Sequence, residues 1–502
     1  MRSKKTDPEL PILLPFQPGI VSNGEFVPPE PTLAHQRIAQ LAFERAADFA
    51  RARRIDRRRF LMSMGGLAVT LGAVNAIACD SNGNGKPPGG SYTVPPTGDP
   101  EAVCEMLEGS EFIFDVQTHH VNPQTPPGRA LASVFQSVNP GCGLDDKIEC
   151  FGRYGYIKDI FLESDTTAAV LSDTPSPTDT NDPLTFEEMR QTREIIDMLT
   201  SGGASRVLLH SIVVPNAGRL EDQLDLMQAR AEAMDVAAWK VYTPYAGTTG
   251  SGWSLDDEQY GIPLIEKARE LGVKRICAHK GLPLYGFDSG YSSPRDIGVV
   301  AKAYPDMQFV VYHSGWDPNN ASAEGPYDEN VQLGVNVLIK SLLDNGIEPN
   351  ANVYAELGST WRGVMSDPAQ AAHVLGKLLR YVGEDRVIWG TDCVWYGAPQ
   401  PQIVAFRSFQ IEPGLRDQYG YPELTPALKA KVFGLNAAEL YGIDPEAQRC
   451  GIARDAVEDL RGTYRDLEPD THEPRWASHR PTSRREMLVH FARNGGAWSP
   501  YR

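Results

Sequence analysis

The sequence predicts a parallel (β/α)8 barrel, the TIM-barrel fold, with an N-terminal leader and an irregular C-terminal extension. Short β-branched runs alternate with amphipathic helices from residue 112 onward, and eight such runs occur before residue 392. The segment also has the length of one barrel. An open doubly wound sheet is the alternative fold for the same alternation. We divide the chain into a leader (1–78), a tether (79–110), a barrel domain (111–445) and a C-terminal extension (446–502).

The strands and helices follow from local patterns. Alternating or continuous apolar runs bounded by polar loops predict eight strands, at 112–117, 168–172, 206–214, 238–243, 274–279, 308–313, 352–357 and 386–391. Amphipathic stretches predict helices at 185–201, 219–234, 261–272, 330–346, 367–383 and 425–442. The first of these starts with Thr185 and has Glu188 three residues later, a capping box.

The composition argues against nucleic acid as a partner. The chain of 502 residues is 41% hydrophobic and 23% charged, which suits a soluble globular protein. Its net charge is −17, and we find no basic patch outside the N-terminus that could bind phosphates. We therefore expect a small-molecule substrate.

Residues 56–85, DRRRFLMSMGGLAVTLGAVNAIACDSNGNG, have the pattern of a twin-arginine export signal. Arg57 and Arg58 precede a Phe-Leu pair, and residues 60–78 carry no charge and are moderately apolar. A membrane anchor is the alternative, since an uncharged run of this length nearly crosses ~30 Å of hydrocarbon. We expect the twin-arginine translocation machinery as a partner and a location in the periplasm or on the outer face of the bacterial membrane.

An A-x-A site at 76–78 is followed by Cys79. Cleavage there gives either a secreted protein or a lipoprotein with a lipid anchor on Cys79, and both remain open. The tether after it is rich in Gly, Pro, Ser and Asn and is expected to be flexible. None of the seven cysteines forms a C-x-x-C pair, and Cys142 and Cys150 are either a disulfide or two free thiols.

Four titratable residues stand where predicted strands end, namely His119, His279, His313 and Asp392. A barrel carries its chemistry at the C-terminal ends of its strands. Burying such side chains separately would be costly, so a shared site is the better interpretation of their coincidence. Imidazole nitrogens and a carboxylate are suitable ligands for Zn²⁺.

The motifs at these positions, taken in order, resemble those of the amidohydrolase superfamily, in particular its branch of amidohydrolase-related hydrolases and decarboxylases. They are FDVQTHH after strand one, AHKG after strand five, YHSGW after strand six, Gly390-Thr391-Asp392 after strand eight, and Asn-Ala-Ala in GLNAAELYGI. The resemblance covers roughly 112–442. Each motif is weak alone, whereas five in order at barrel spacing are a strong signal.

The resemblance implies one divalent metal, with Zn²⁺ as the expected ion. His119 and His279 would be ligands, and His313 either a ligand or an acid/base group. Asp392 would bind the metal and take a proton from bound water, whose pKa a cation lowers from 15.7 toward ~7.

Gln117 departs from the family pattern, which has a histidine at this position. A carboxamide is a poorer zinc ligand than an imidazole. Strand alternation places Gln117 and His119 on one face and His120 on the other. Three arrangements remain open: a weaker metal site that uses the Gln117 oxygen, a site in which His120 substitutes, or a metal-free site, which some members of the superfamily have.

Four further residues are candidates for substrate contact. Lys240 ends strand four and either binds an anionic substrate or snorkels to the rim. Glu356 ends strand seven and is expected to partner a histidine or Lys240. Lys280 and Trp316 are expected to line the substrate loops.

The first functional hypothesis is therefore an exported hydrolase acting on an amide, ester or lactone through metal-activated water. A metal-dependent lyase, a non-oxidative decarboxylase of an aromatic or unsaturated acid, is the alternative within the same class of enzyme. A hypothesis of another class is a lipid-tethered binding module or an inactive barrel.

Overall fold

A computed structural model describes residues 14–81, 89–95, 103, 109–136, 147–176, 182–200, 205–233, 235–284, 287–319, 324–446, 456–466 and 483–493. Its centre is a parallel sheet of eight strands in sequential order. They are β1 (Phe114–Thr118), β2 (Ala168–Leu171), β3 (Val207–Ile212), β4 (Val236–Val241), β5 (Arg275–His279), β6 (Gln308–Tyr312), β7 (Val353–Glu356) and β8 (Val387–Ile388).

The sheet closes on itself. Thr118, at the end of β1, pairs in parallel with Cys393, beyond the end of β8. The Asp392 amide donates to the Gln117 carbonyl at 2.9 Å, and the Val116 amide donates to the Trp389 carbonyl at 3.0 Å. These bonds join the first and last strands, so the fold is the (β/α)8 barrel that the sequence predicts and not an open sheet.

Helices surround the strands. Along the barrel they are Pro126–Gln136, Arg153–Ile157, Phe186–Asp197, Leu220–Ala233, Gly261–Glu270, Ile297–Ala303, Val335–Asn345, Thr360–Val364, Pro368–Tyr381, Gln400–Ser408, Pro413–Tyr419, Pro426–Ala430 and Asn436–Tyr441. The predicted capping box at Thr185 and Glu188 is present. The helix at 368–381 begins with Pro368, directly after the N-cap residue Asp367. Proline is well tolerated at the first helical position because an amide there would have no partner within the helix.

The core has two parts. Apolar side chains from the inward faces of the strands fill the barrel, among them Phe114, Val116, Val310 and Tyr312. A second, larger cluster lies between the strands and the helices. Both parts are formed because alternate strand residues face opposite sides of the sheet.

The predicted leader packs against the barrel in the intact chain. Its helices are Leu33–Arg53, Arg57–Leu61 and Met64–Ser81. Leu67, Leu71 and Val74 of the third helix are fully buried and belong to the larger core cluster. Arg57 and Arg58 are exposed, and Cys79 is partly exposed. Cleavage after Ala78 remains a prediction.

Among the described residues, no helix combines the length and apolar character needed to cross a membrane.

Part of the predicted tether is ordered. Gly90–Tyr92 forms a short strand that pairs antiparallel with Phe409–Ile411. The Asn75 side chain also bonds to the backbone of Tyr92 in both directions, at 2.7 and 2.9 Å. A composition rich in Gly and Pro indicates flexibility, but it does not reveal a strand partner more than three hundred residues away.

Two other predictions fall partly outside the described residues. Cys150 is disulfide-bonded, while Cys142 lies outside the described residues, so their pairing remains a prediction. In the C-terminal extension, the helix Ala456–Asp466 is described. Its Arg461 donates to the carbonyls of Phe161 and Thr166, both at 2.7 Å, and so anchors this helix to the barrel.

Candidate functional site

The structure places the predicted site residues at the C-terminal ends of the strands, a region that we call the mouth. His119, His279, His313 and Asp392 are all at most 2% exposed, and Lys240 and Glu356 are fully buried. Asp392 has a positive φ of 62°, and so do His313 (67°) and Ser359 (57°). Left-handed backbone at side-chained residues is costly and clusters at functional sites.

Asp392 is the centre of one group of contacts. Its Oδ1 lies 3.4 Å from His119 Nε2 and accepts a hydrogen bond from Gln117 Nε2 at 2.9 Å. Its Oδ2 accepts a hydrogen bond from the Ser359 hydroxyl at 2.6 Å. Burial raises the pKa of Asp392 to about 6, although the Ser359 bond and the Lys240 charge both lower it.

His279 and His313 form a second group. His313 Nε2 lies 3.2 Å from His279 Nδ1. The two groups meet at Gly358, where a Cβ atom would lie under 3.0 Å from both Gln117 Oε1 and Glu356 Oε1. An alanine at this position would push the ends of both side chains out of their places in the mouth.

Backbone carbonyls fix the tautomers of the three histidines. His119 Nδ1 lies 2.8 Å from the Ser172 carbonyl, His279 Nε2 lies 3.0 Å from the Leu282 carbonyl, and His313 Nδ1 lies 2.8 Å from the Gly358 carbonyl. A carbonyl oxygen can only accept, so each of these nitrogens carries the proton. The opposite nitrogen of each ring then presents a lone pair to the mouth, the arrangement in which histidines bind metals.

Burial keeps these imidazoles neutral. Burial, together with the nearby Lys240 charge, lowers the pKa of His119 and of His279 to about 3. The pKa of His313 is also lowered, first by burial and then by His279. Two lone pairs therefore face each other across 3.2 Å between His279 and His313. Such a contact is repulsive unless a proton or a cation is shared there.

Gln117 faces this centre and His120 does not. Gln117 Oε1 is buried and has no hydrogen-bond partner among the described residues. His120 bonds instead to the Thr192 hydroxyl at 3.0 Å and to the Val121 carbonyl at 3.1 Å. Substitution of His120 for the missing histidine is thus ruled out by its orientation. The pairing register of β1 shifts between Asp115 and Thr118, and His120 lies beyond the end of the strand.

Lys240 is a buried cation. Its Nζ lies 3.4 Å from the centre of the Tyr312 ring and has no hydrogen-bond partner among the described residues. Burial lowers its pKa to about 8, against the opposing charges of Cys277, Glu356, Asp392 and Glu25. Because Lys240 is fully buried, the interpretation as a lysine that snorkels to the rim is wrong.

Glu356 supports His313 through the backbone. Its Oε2 accepts a hydrogen bond from the His313 amide at 3.0 Å, and its Oε1 accepts one from the Gly358 amide. Burial raises the pKa of Glu356 to about 8, so it is largely protonated at neutral pH. The partner of Glu356 is therefore the backbone of His313 and not an imidazole ring.

Lys280 and Trp316 serve the loops in a way that the sequence did not indicate. The Lys280 ammonium is buried and pairs with Asp296 at 2.7 Å, so it is not available to a substrate. Trp316 is 2% exposed, and its carbonyl accepts a bond from the Leu282 amide at 2.6 Å. Both residues hold the loop after β5 against the loop after β6.

Sequence reasoning missed three residues of the mouth. Ser359 follows β7 and could have been found as the next polar residue in the AELGS motif. Asn23 and Glu25 come from the N-terminal segment. Asn23 Nδ2 lies 3.5 Å from Asp392 Oδ2 and donates to Glu25 Oε2 at 2.5 Å. No local pattern links residues that are 369 positions apart.

A cavity of about 540 Å³ opens beside the mouth. Gly281 and Gly315 line it, two residues beyond His279 and His313 respectively, together with Leu284, Phe287 and Val27. Its size is that of a small-molecule site, and its lining is mostly apolar or backbone.

Residues 204–443 match the family model described as Amidohydrolase. The match runs from β3 to the last barrel helix and leaves out β1, which carries Gln117 and His119. No curated protein matches the chain.

Several solved structures are similar in fold. A 2,6-dihydroxybenzoate decarboxylase from Rhizobium is 14% identical, with 66% of this chain and 99% of that chain covered and a TM-score of 0.38. A putative 2-pyrone-4,6-dicarboxylic acid hydrolase from Pseudomonas putida is 15% identical, with 66% and 98% covered and a TM-score of 0.38. A dihydroxybenzoic acid decarboxylase from Polaromonas sp. JS666, with bound manganese and 2-nitroresorcinol, is 14% identical, with 66% and 97% covered and a TM-score of 0.40.

Proposed function

We propose that the protein is an amidohydrolase-related enzyme that hydrolyses an ester, lactone or amide bond of an anionic small molecule. One observation carries this proposal: three neutral imidazoles direct lone pairs into a buried mouth that also holds the Asp392 carboxylate. The family match over 204–443 supports the assignment. Structural residues alone do not need three histidines whose tautomers are fixed in this way.

A divalent metal, Zn²⁺ or Mn²⁺, is part of the proposal. Among the described residues, no group of three or more His, Cys, Asp and Glu side chains forms a ready metal shell. The donors stand instead as two pairs, yet their chemistry fits a cation: imidazole lone pairs, a carboxylate and the unpartnered amide oxygen of Gln117. We give more weight to the chemistry, because the facing lone pairs of His279 and His313 need a positive charge. His119, His279 and Asp392 would hold the metal, with Gln117 as a weak fourth donor.

The bound metal would supply a Lewis acid and a water of lowered pKa. The chain's own groups would move the protons and orient the substrate. Asp392 is the base that accepts a proton from water at a carboxylate oxygen, and His313 Nε2 is placed to hold a proton near the leaving group. Lys240 would anchor the anionic group of the substrate. The burial of these residues excludes bulk water and strengthens each of these charge interactions.

Decarboxylation of an aromatic or unsaturated acid is the second candidate. The unpartnered Lys240 ammonium suits this reaction as well as hydrolysis, because it could receive a carboxylate inside the mouth. The two reactions differ in their products, since decarboxylation releases CO₂ whereas hydrolysis releases a new acid.

We also propose that the chain is exported by the twin-arginine machinery to the periplasm or the outer face of the membrane, and is cut before Cys79. The exposed Arg57 and Arg58 and the partly exposed Cys79 thiol support this. Whether Cys79 then carries a lipid is settled by mass spectrometry of the mature N-terminus.

The function is tested with the purified protein, both full-length and cut before Cys79, loaded with Zn²⁺ or Mn²⁺. Carboxylate-bearing lactones, esters and amides are assayed for acid release, and aromatic acids for CO₂. We expect turnover that His313→Ala and Asp392→Ala lower by at least 100-fold. The control is His373→Ala, because His373 is half-buried and bonds to the Tyr421 hydroxyl away from the mouth. A protein that binds ligands without turning any over would be a binding module and not an enzyme.

A further inference from the structure

The N-terminal segment of the chain, residues 14–27, lies across the mouth. Leu14, Phe16, Val21 and Phe26 are at most 3% exposed and belong to the larger core cluster. Val27 lines the cavity beside the mouth. The segment is thus packed as part of the molecule, although it belongs to the predicted leader.

The segment is held by the barrel and by its own side chains. Arg362, which is buried, donates to the Gln17 carbonyl at 3.0 Å and to the Gly19 carbonyl at 3.4 Å. Within the segment, the Ser22 hydroxyl donates to the Phe26 carbonyl at 2.6 Å and accepts from the Gly24 amide at 3.0 Å. Residues 22–26 therefore form a compact turn that satisfies its own polar groups and needs few bonds from the barrel.

The turn puts a carboxyl group among the site residues. Glu25 is 6% exposed, and the Asn23 amide nitrogen lies between it and Asp392, 2.5 Å from Glu25 Oε2 and 3.5 Å from Asp392 Oδ2. Burial and the Asp392 charge both raise the pKa of Glu25. Its one described hydrogen-bond donor is Asn23, two residues away. The carboxyl groups of Glu25 and Asp392 are thus buried in the same region. Burying two like charges together costs free energy, and removal of Glu25 from the mouth would relieve that cost.

The same turn closes the mouth. With it in place, Lys240, His119, His279, His313 and Asp392 are at most 2% exposed, so almost none of their surface is open to solvent. The chain that follows the segment is accessible, since Pro29 and Glu30 are exposed. An occupant that makes its own internal bonds and is joined to the barrel by an exposed linker can leave without unfolding the strands.

We infer that residues 14–27 are an inhibitory segment that covers Asp392 and keeps the carboxylate of a substrate from reaching Lys240. The inference rests on the proposed function only in taking the mouth as the substrate site. It also gives the leader a second role: the uncut chain would be closed, and cleavage before Cys79 would remove the occupant together with the leader.

The test uses the full chain with Phe26→Asp, which places a charge at a buried position and releases the segment. Hydrogen exchange of the 19–27 amides shows whether the segment is released. Calorimetric titration with benzoate shows whether a carboxylate can reach Lys240. We expect loss of protection at 19–27 and benzoate binding at least 10-fold tighter than in the wild type. Leu33→Asp is the control, because Leu33 is 73% exposed just beyond the segment, and it should behave as the wild type.

A second variant is needed in case Phe26→Asp does not fold. A specific protease site inserted between Pro29 and Glu30 lets the same folded protein be measured before and after the cut. Release without a gain in benzoate affinity overturns the inference, and so does turnover that is equal or greater with the segment in place. A gain in benzoate affinity without turnover of any substrate supports the inference and refutes the proposed hydrolase.

Discussion

Replacing Lys240 by methionine removes the one cation that we place against the substrate. Methionine has a similar length and volume, so the change removes a charge without leaving a large cavity. In the folded chain the Lys240 ammonium has no hydrogen-bond partner among the described residues and lies 3.4 Å from the centre of the Tyr312 ring. A bound carboxylate would be its first strong partner.

The magnitude follows from that contact. A hydrogen bond to a charged group contributes about 1.5–3 kcal/mol. Since about 1.4 kcal/mol is a factor of ten, Lys240→Met should weaken carboxylate binding by about 10- to 150-fold. A neutral analogue that lacks the carboxylate should change by less than about 2-fold. The assay compares Kd for benzoate and benzamide, both in a Phe26→Asp background so that the N-terminal segment does not compete.

Stability should move differently from affinity. Lys240→Met loses a cation–π contact worth about 2 kcal/mol, but it also removes the cost of a buried charge, which is several kcal/mol. We therefore expect the urea midpoint of unfolding to stay at or above that of the parent. Lys377→Met is the matched control, since Lys377 is a buried lysine outside the mouth that pairs with Glu324. Equal losses for benzoate and benzamide, or none for benzoate, would refute the role of Lys240.

Three further outcomes are expected. The affinity for benzoate should fall as pH rises through about 8, where Lys240 loses its proton, and titration from pH 6.5 to 9.5 should show no such fall in Lys240→Met. Lys377→Met should lower the free energy of unfolding by about 3–5 kcal/mol in urea, because it leaves the buried Glu324 carboxylate unpaired at 2% exposure. Adding Glu324→Met should recover most of that loss. Gly358→Ala should abolish turnover in a folded protein, because its Cβ would collide with the Gln117 side chain.

The barrel and its strand ends were predictable because their signals are local. Apolar runs of four to eight residues reveal each strand, and a polar residue at the end of such a run is visible in the sequence. His119, His279, His313 and Asp392 were found in this way. The predicted bounds of the strands differ from the observed ones by a few residues. The last strand is predicted at 386–391, whereas the structure has it at Val387–Ile388.

The remaining features depend on contacts that local patterns do not contain. Lys280 lies in a motif that resembles an active site, but its ammonium forms an ion pair with Asp296, sixteen positions later. The orientation of Gln117 depends on Asp392, which is 275 positions away. The sequence predicts residues 1–78 as a leader alone, because an apolar helix after two arginines gives the same signal whether it is removed or packs on the barrel.

The central claim is that His119, His279 and Asp392 together form one cation site. Calorimetric titration of the metal-free full-length protein with Zn²⁺ and Mn²⁺ tests it most directly, alongside the His119→Ala/Asp392→Ala double variant and the His373→Ala control. We expect one ion per chain in the wild type and the control, and affinity at least 100-fold weaker in the double variant. No binding by the wild type, or equal binding by the double variant, would contradict the claim.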